Sequence, residues 1–198
     1  MKRVLLVIGS CDGSESNSYC IANYIEDNLD GRVKCSKILL SEYYFKNINE
    51  DLKVYDNIVF ISSLKKDRFN DLSERFLNLI SNENEEGNRN IYFSVILNGD
   101  LDVLRGTEEL ELLLENCMKI CKKKFIVWQK GIGVLADLNL WKNGLEDNGL
   151  EYEQLLIELE MFCEDIINCK TYHHNSFALP RKGSGFLKFI NKRIKHFT

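Results

Sequence analysis

Apolar positions along the chain fall into two spacings, short unbroken runs bounded by turn residues and longer segments with the period of a helix. Arg3 to Gly9 (RVLLVIG) is apolar at nearly every position, which is how a strand buried on both faces of a parallel sheet reads. From Ser16 the period changes. Tyr19, Ile21, Ala22, Ile25 and Leu29 recur at helical spacing behind Ser and Asn capping residues, and Gly31 stands just past the last of them. A second strand is predicted over Val33 to Leu40 and a third over Ile58 to Ser62, after the turn signal Asp56-Asn57. Phe69, Leu72, Phe76, Leu77, Leu79 and Ile80 trace the next helix. A polar loop from Ser81 to Asn90 leads to a fourth strand, Ile91 to Leu97, that ends in Asn98-Gly99. A helix over Thr107 to Lys122, a short fifth strand over Phe125 to Trp128 and a helix over 150–168 complete the pattern.

Five strands interleaved with helices imply an α/β doubly wound parallel sheet with helices on both faces, because parallel neighbours need right-handed crossovers. At 198 residues, 44% hydrophobic and with one proline, the chain has material for one core, so a single domain is expected over 1–179, with 180–198 as its C-terminal extension. No apolar run reaches the roughly 18 residues of a membrane span, and the opening apolar stretch is short for a signal-peptide core, so a cytoplasmic location is expected.

Charge changes the picture in one respect. The formal net charge of −4 hides six basic and no acidic side chains in 180–198, which leaves 20 basic against 30 acidic groups on 1–179. An acidic body does not track nucleic-acid phosphates, so no nucleic-acid partner is expected. Phe186, Phe189, Ile190, Ile194 and Phe197 place an apolar stripe along the basic tail, suited to packing on the chain's own body, across a homodimer, or on an anionic surface. The seven cysteines are odd in number and show no CxxC spacing, and Cys163, Cys169, His173 and His174 match no common zinc pattern. No metal site is expected.

In such folds ligands sit at the carboxyl ends of the strands, where the strand order reverses. The loop between the first strand and first helix, Ser10 to Ser18 (SCDGSESNS), combines hydroxyls, an amide and a helix N-terminus, which suit a phosphate. The same residues also serve as an ordinary helix-capping turn, and composition does not separate the two readings. The loop lacks the lysine of a P-loop and the GxGxxG of a dinucleotide fingerprint, which argues against nucleotide hydrolysis.

Four segments in order carry a resemblance: VLLVIGS followed by SNS and a helix, IVFISSLKKDRFNDLSERFLNLI, VILNGDLD, and WQKGIGVL. Together they resemble the flavodoxin-like NAD(P)H-dependent FMN reductases over most of the chain. The resemblance implies a flavodoxin-like five-stranded sheet in the order 2-1-3-4-5 and FMN as cofactor. Ser10, Ser16, Asn17 and Ser18 would hold its phosphate. Ser62, Ser63, Leu64 and Lys65 would line one side of the isoalloxazine, and Asn98, Gly99 and Asp100 the other. It also implies an oxidoreductase that takes hydride from NADH or NADPH and reduces a small acceptor such as a quinone, a nitro compound or free flavin. No catalytic side chain is needed, since the cofactor carries the chemistry. The alternative is a flavodoxin-like binding or electron-carrier protein with weak or no flavin and no turnover of its own. The sequence departs from the family where Cys11-Asp12 replaces Pro-Arg, Ser63 and Asn70 replace prolines, Lys65 replaces an aromatic residue, and Asp100 replaces an apolar or aromatic one. Asp12 and Glu15 must point to solvent if a phosphate is held between them.

Overall fold

The computed structural model describes residues 1–42, 52–64, 68–82, 91–100, 107–122, 126–136, 142, 145 and 152–178. Within them the chain alternates β1 (Arg3–Ile8), α1 (Asn17–Leu29), β2 (Lys34–Leu39), β3 (Asn57–Ser63), α2 (Asp71–Asn82), β4 (Ile91–Asp100), α3 (Thr107–Lys122), β5 (Ile126–Ala136), α4 (Glu153–Asn168) and β6 (Ser176–Ala178). The strands form one parallel sheet in the order β2-β1-β3-β4-β5-β6.

Each strand of the sheet centre is apolar at consecutive positions because its side chains alternate between two cores. Val4, Leu6 and Ile8 point toward α1 and α4, where they meet Ile21, Ile25, Leu159 and Phe162. Leu5 and Val7 point the other way, among residues of α2 and α3 such as Phe76, Ile80, Leu110 and Leu114. This is the doubly wound arrangement that near-continuous apolar runs imply. Among the described residues no helix is long and apolar enough to cross a membrane.

Two features correct the reading of the sequence. The sheet has six strands rather than five, since after α4 the chain returns beside β5 and pairs Ser176–Ala178 with Ile132–Val134. Three residues are too few to display a two-residue period, so β6 had no pattern to find. Glycines on β5 make room for it: a Cβ on Gly133 would lie 2.6 Å from the Phe177 ring, and one on Gly131 would lie 2.4 Å from Asn175 Oδ1.

The fifth strand is also longer than expected, Ile126–Ala136 instead of Phe125 to Trp128, so WQKGIGVL lies in the strand and not in a loop after it. The polar pair Gln129-Lys130 breaks the apolar run, yet both are buried. Gln129 is the extra residue of a β-bulge, because Phe93 pairs with Trp128 while Ser94 pairs with Lys130. Its Oε1 accepts from Asn57 Nδ2 (3.0 Å) and Ser94 Oγ (3.1 Å), and its Nε2 donates to the Asp165 carbonyl (3.0 Å). Lys130 Nζ sits between Glu158 (3.4 Å) and Asp165 (3.5 Å) of α4, and the Tyr172 hydroxyl donates to the other oxygen of Asp165 at 2.8 Å. Paired charges and hydrogen bonds offset the desolvation these groups suffer, which is how polar residues are tolerated in a strand core.

Candidate functional site

After β1 the chain crosses to β2 on one side and then to β3 on the other, so the order reverses at β1, and the carboxyl ends of β1 and β3 are where ligands sit in sheets of this kind. The loop leaving β1 lies at this end of the sheet. Gly9 N–H donates to the Ile61 carbonyl at 2.8 Å, Gly13 adopts φ 58°, and the Asp12 N–H donates to Ser10 Oγ at 3.2 Å. Ser16 caps α1, accepting from the Tyr19 N–H at 3.2 Å while its hydroxyl donates to the Gly13 carbonyl at 2.8 Å. The capping role expected of the Ser/Asn-rich loop is therefore filled by Ser16. Ser10, Ser16, Asn17 and Ser18 are all buried, whereas Asp12 and Glu15 are exposed. The two carboxylates thus face solvent, away from the buried hydroxyls.

Ser18, fully buried in the first turn of α1, brings the three predicted segments together. Asn98 Nδ2 donates to Ser18 Oγ (2.8 Å) and to the Ser62 carbonyl (3.1 Å), and Ser63 Oγ donates to Asn98 Oδ1 (2.9 Å). Ser18 and Ser63 hydroxyls lie 2.8 Å apart. Because the Ser63 proton is committed to Asn98, the Ser18 proton runs to Ser63, and the three side chains close a ring in which each donates to the next. The Leu64 N–H donates to the Asn98 carbonyl at 2.8 Å, fixing the rim of the second loop against β4.

A second layer lies beneath. The Gly9 carbonyl accepts from Asn70 Nδ2 (2.6 Å), Ser73 Oγ (3.0 Å) and Ser62 Oγ (3.2 Å), and the Ser62 and Ser73 hydroxyls are 2.9 Å apart. Ser73 was not singled out from the sequence, and nothing but its place on the buried face of α2 could have marked it. Asn70, noted only as a replacement for proline, has a structural reason: its Oδ1 accepts from Ser73 N–H at 2.9 Å and its carbonyl from Glu74 N–H, so it caps α2 while holding the Gly9 carbonyl.

The third segment needs correction. Asn98, Gly99 and Asp100 were expected in a loop but belong to β4, paired with Val134, Leu135 and Ala136 of β5. Asn98 is buried in that strand. Lys65 and the side chain of Asp100 lie outside the described residues. So Ser18, Ser62, Ser63 and Asn98 are brought into direct contact, Ser10 and Ser16 shape the adjoining loop, and Leu64 lines the edge.

The arrangement offers hydroxyl and amide donors and acceptors beside a helix N-terminus whose loop contains no lysine or arginine. Among the described residues the hydrogen bonds of these serines run to other hydroxyls, to Asn98 and to backbone groups. The groups gathered here are polar and uncharged, and they lie beside the N-terminus of α1. Among the described residues no group of three or more His, Cys, Asp or Glu could hold a metal ion.

No protein-family model matches the chain, and no curated protein matches it in sequence. Its structure is similar to a flavodoxin from Streptococcus pneumonia TIGR4, with 17% identity and a TM-score of 0.61 over 84% of this chain and 99% of that one. It is also similar to an NADH:FMN oxidoreductase in its apo form, at 9% identity and a TM-score of 0.59, covering 88% and 92%. A third, an NADPH-quinone reductase from P. pentosaceus, shares 10% identity at a TM-score of 0.53, covering 82% and 98%. The fold is flavodoxin-like, with a sixth parallel strand on the β5 edge.

Proposed function

We propose that the chain is an FMN-dependent oxidoreductase that takes hydride from NADH or NADPH and reduces a small acceptor such as a quinone, a nitro compound or free flavin. The observation that carries the reading is the ring of Ser18, Ser63 and Asn98, which draws the three switch-point segments into one neutral polar floor beside the N-terminus of α1. The protons of that floor are spent within it, so it presents uncharged accepting oxygens to the hydroxyls of a polyhydroxyl chain and leaves a phosphate monoester to the backbone N–H groups that open α1. Flavodoxins and flavin or quinone reductases share this fold, which adds support by analogy.

In this reading the backbone N–H groups at the start of α1, with Ser10, Ser16, Asn17 and Ser18, bind the phosphate of FMN. Ser62, Ser63, Leu64 and Lys65 flank one side of the ring system, and Asn98, Gly99 and Asp100 the other. Bound FMN supplies hydride acceptance and electron transfer. The chain binds, orients and shields, and needs no side chain as acid or base. Buried Asn98 is held by Ser18, Ser62 and Ser63, so its amide presents a fixed geometry with little reorganisation on binding.

The test is titration of the protein with FMN and, separately, riboflavin, following flavin fluorescence, and then addition of NADH or NADPH under anaerobic conditions. FMN should bind more tightly than riboflavin, and the bound flavin should bleach with one of the two donors. Absence of FMN binding would refute the reading. FMN binding without bleaching by either donor would favour an electron carrier without turnover of its own.

A further inference from the structure

The opposite end of the sheet, where β1 begins and α4 ends, carries a second arrangement of reactive groups. Lys2, the residue before β1, donates from Nζ to the Ile167 carbonyl in the last turn of α4 and contacts Cys169 Sγ at 3.0 Å. Cys169 is the residue on which α4 stops, with φ 52° and ψ 38°, its N–H donating to the Asp165 and Ile166 carbonyls. Left-handed helix ends are usually given to glycine, because a Cβ is disfavoured there. Among the described residues Cys169 is the only non-glycine with positive φ. The chain thus keeps a thiol where glycine is easier, with a lysine nitrogen against its sulfur.

Cys11 is exposed, at the other end of the sheet, and the five remaining thiols are set apart by burial. Desolvation pushes Cys117, Cys121 and Cys163 up to about 12 and Cys35 to about 11, and raises Cys20, so these stay protonated and shielded. Cys169 is only half-buried and lies on a surface turn, within reach of a small oxidant.

We propose that Cys169 and Lys2 form an oxidation-dependent covalent cross-link, a sulfenamide between Sγ and Nζ, with hydrogen peroxide as the oxidant. In the first step the sulfur attacks one peroxide oxygen. The S–O bond forms as the O–O bond breaks, sulfur is oxidised to the sulfenic acid, peroxide is reduced, and one water leaves. In the second step Nζ, after giving its extra proton to solvent, attacks the sulfur. The S–N bond forms as the S–O bond breaks, and the departing hydroxide takes a proton from nitrogen to leave as a second water. The product carries two hydrogens fewer than the reduced protein. Two equivalents of a small thiol return it to free amine and thiol, the small thiol leaving as its disulfide. The cross-link joins positions 167 residues apart, stapling the start of β1 to the end of α4. The proposal is independent of flavin binding.

The experiment treats the full chain with a few equivalents of hydrogen peroxide and analyses chymotryptic peptides by mass spectrometry. A peptide containing residue 2 should appear joined to one containing residue 169, two hydrogens lighter than their sum, and should vanish after a thiol reductant. Lys2→Arg keeps a cation for the Ile167 carbonyl but lacks the amine nucleophile. Folding of this variant is checked by circular dichroism, and it should give sulfenic or sulfinic acid at Cys169 without the joined peptide. Oxidation of wild-type Cys169 with no joined peptide would overturn the proposal, as would a joined peptide undiminished in Lys2→Arg.

Discussion

Replacing Asn98 by alanine removes three side-chain hydrogen bonds at once, those to Ser18 Oγ, the Ser62 carbonyl and Ser63 Oγ, from a residue that is 4% exposed. Each is worth about 0.5–1.5 kcal/mol net, so the simple sum spans roughly 1.5–4.5 kcal/mol. Ser18 and Ser63 keep each other at 2.8 Å, and a water can enter to meet the Ser62 carbonyl, which draws the expected loss to about 2–3 kcal/mol. For a chain of this size that corresponds to a fall in melting temperature of roughly 4–12 °C. Urea unfolding followed by tryptophan fluorescence measures the loss, and FMN titration of the same variant measures the site, where at least a tenfold weakening, about 1.4 kcal/mol, is expected. The double variant with Ser63→Ala should be less destabilised than the two single changes summed, by at least about 0.5 kcal/mol, because both break the same ring. Strict additivity would mean that the ring does not act as a unit. A lowered unfolding midpoint with unchanged FMN affinity would leave the ring structural and move the flavin elsewhere.

Other perturbations test neighbouring parts of the structure. Gly9→Ala would set a Cβ 2.4 Å from Ser73 Oγ and 2.9 Å from the Phe60 ring, so it should destabilise by about 1–3 kcal/mol in urea unfolding and weaken FMN; a neutral variant would refute the close approach. Lys130→Met leaves Glu158 and buried Asp165 without their cation, and a loss of about 3–5 kcal/mol in the same assay is expected, with a negligible change counting against the buried network. Cys117, Cys121 and Cys163 hold their protons well above the ordinary thiol value of 9.0 in the folded chain, so iodoacetamide at about pH 8 should spare them until denaturant is added. The folded state then binds more protons than the unfolded one above about pH 9, and stability should fall as pH rises from there toward 12, seen as a declining urea midpoint.

Local pattern determined a good deal of this protein. Unbroken apolar runs such as RVLLVIG could only belong to strands covered on both faces, and the helical period between them required crossovers, so the parallel α/β sheet and the positions of β1 to β4 were legible before any contact was known. The serine-rich loop could be placed between a strand and a helix, but its residues are also ordinary caps, so composition left its role open, and Asn98 was marked only by the family resemblance. Tertiary structure decided what those residues touch. Ser18 meets Asn98 across 80 positions of chain, and Ser73 reaches the Gly9 carbonyl across 64, pairings that carry no local signature. The full length of β5 was hidden for the same reason. Gln129 and Lys130 look like the polar end of a strand, and only Asn57, 72 residues away, with Ser94, Glu158 and Asp165, makes their burial tolerable. Periodicity records whether a position faces water or core on average. It does not record a polar group buried because a distant partner completes its hydrogen bonds, and those groups form both the network behind β5 and the floor of the candidate site.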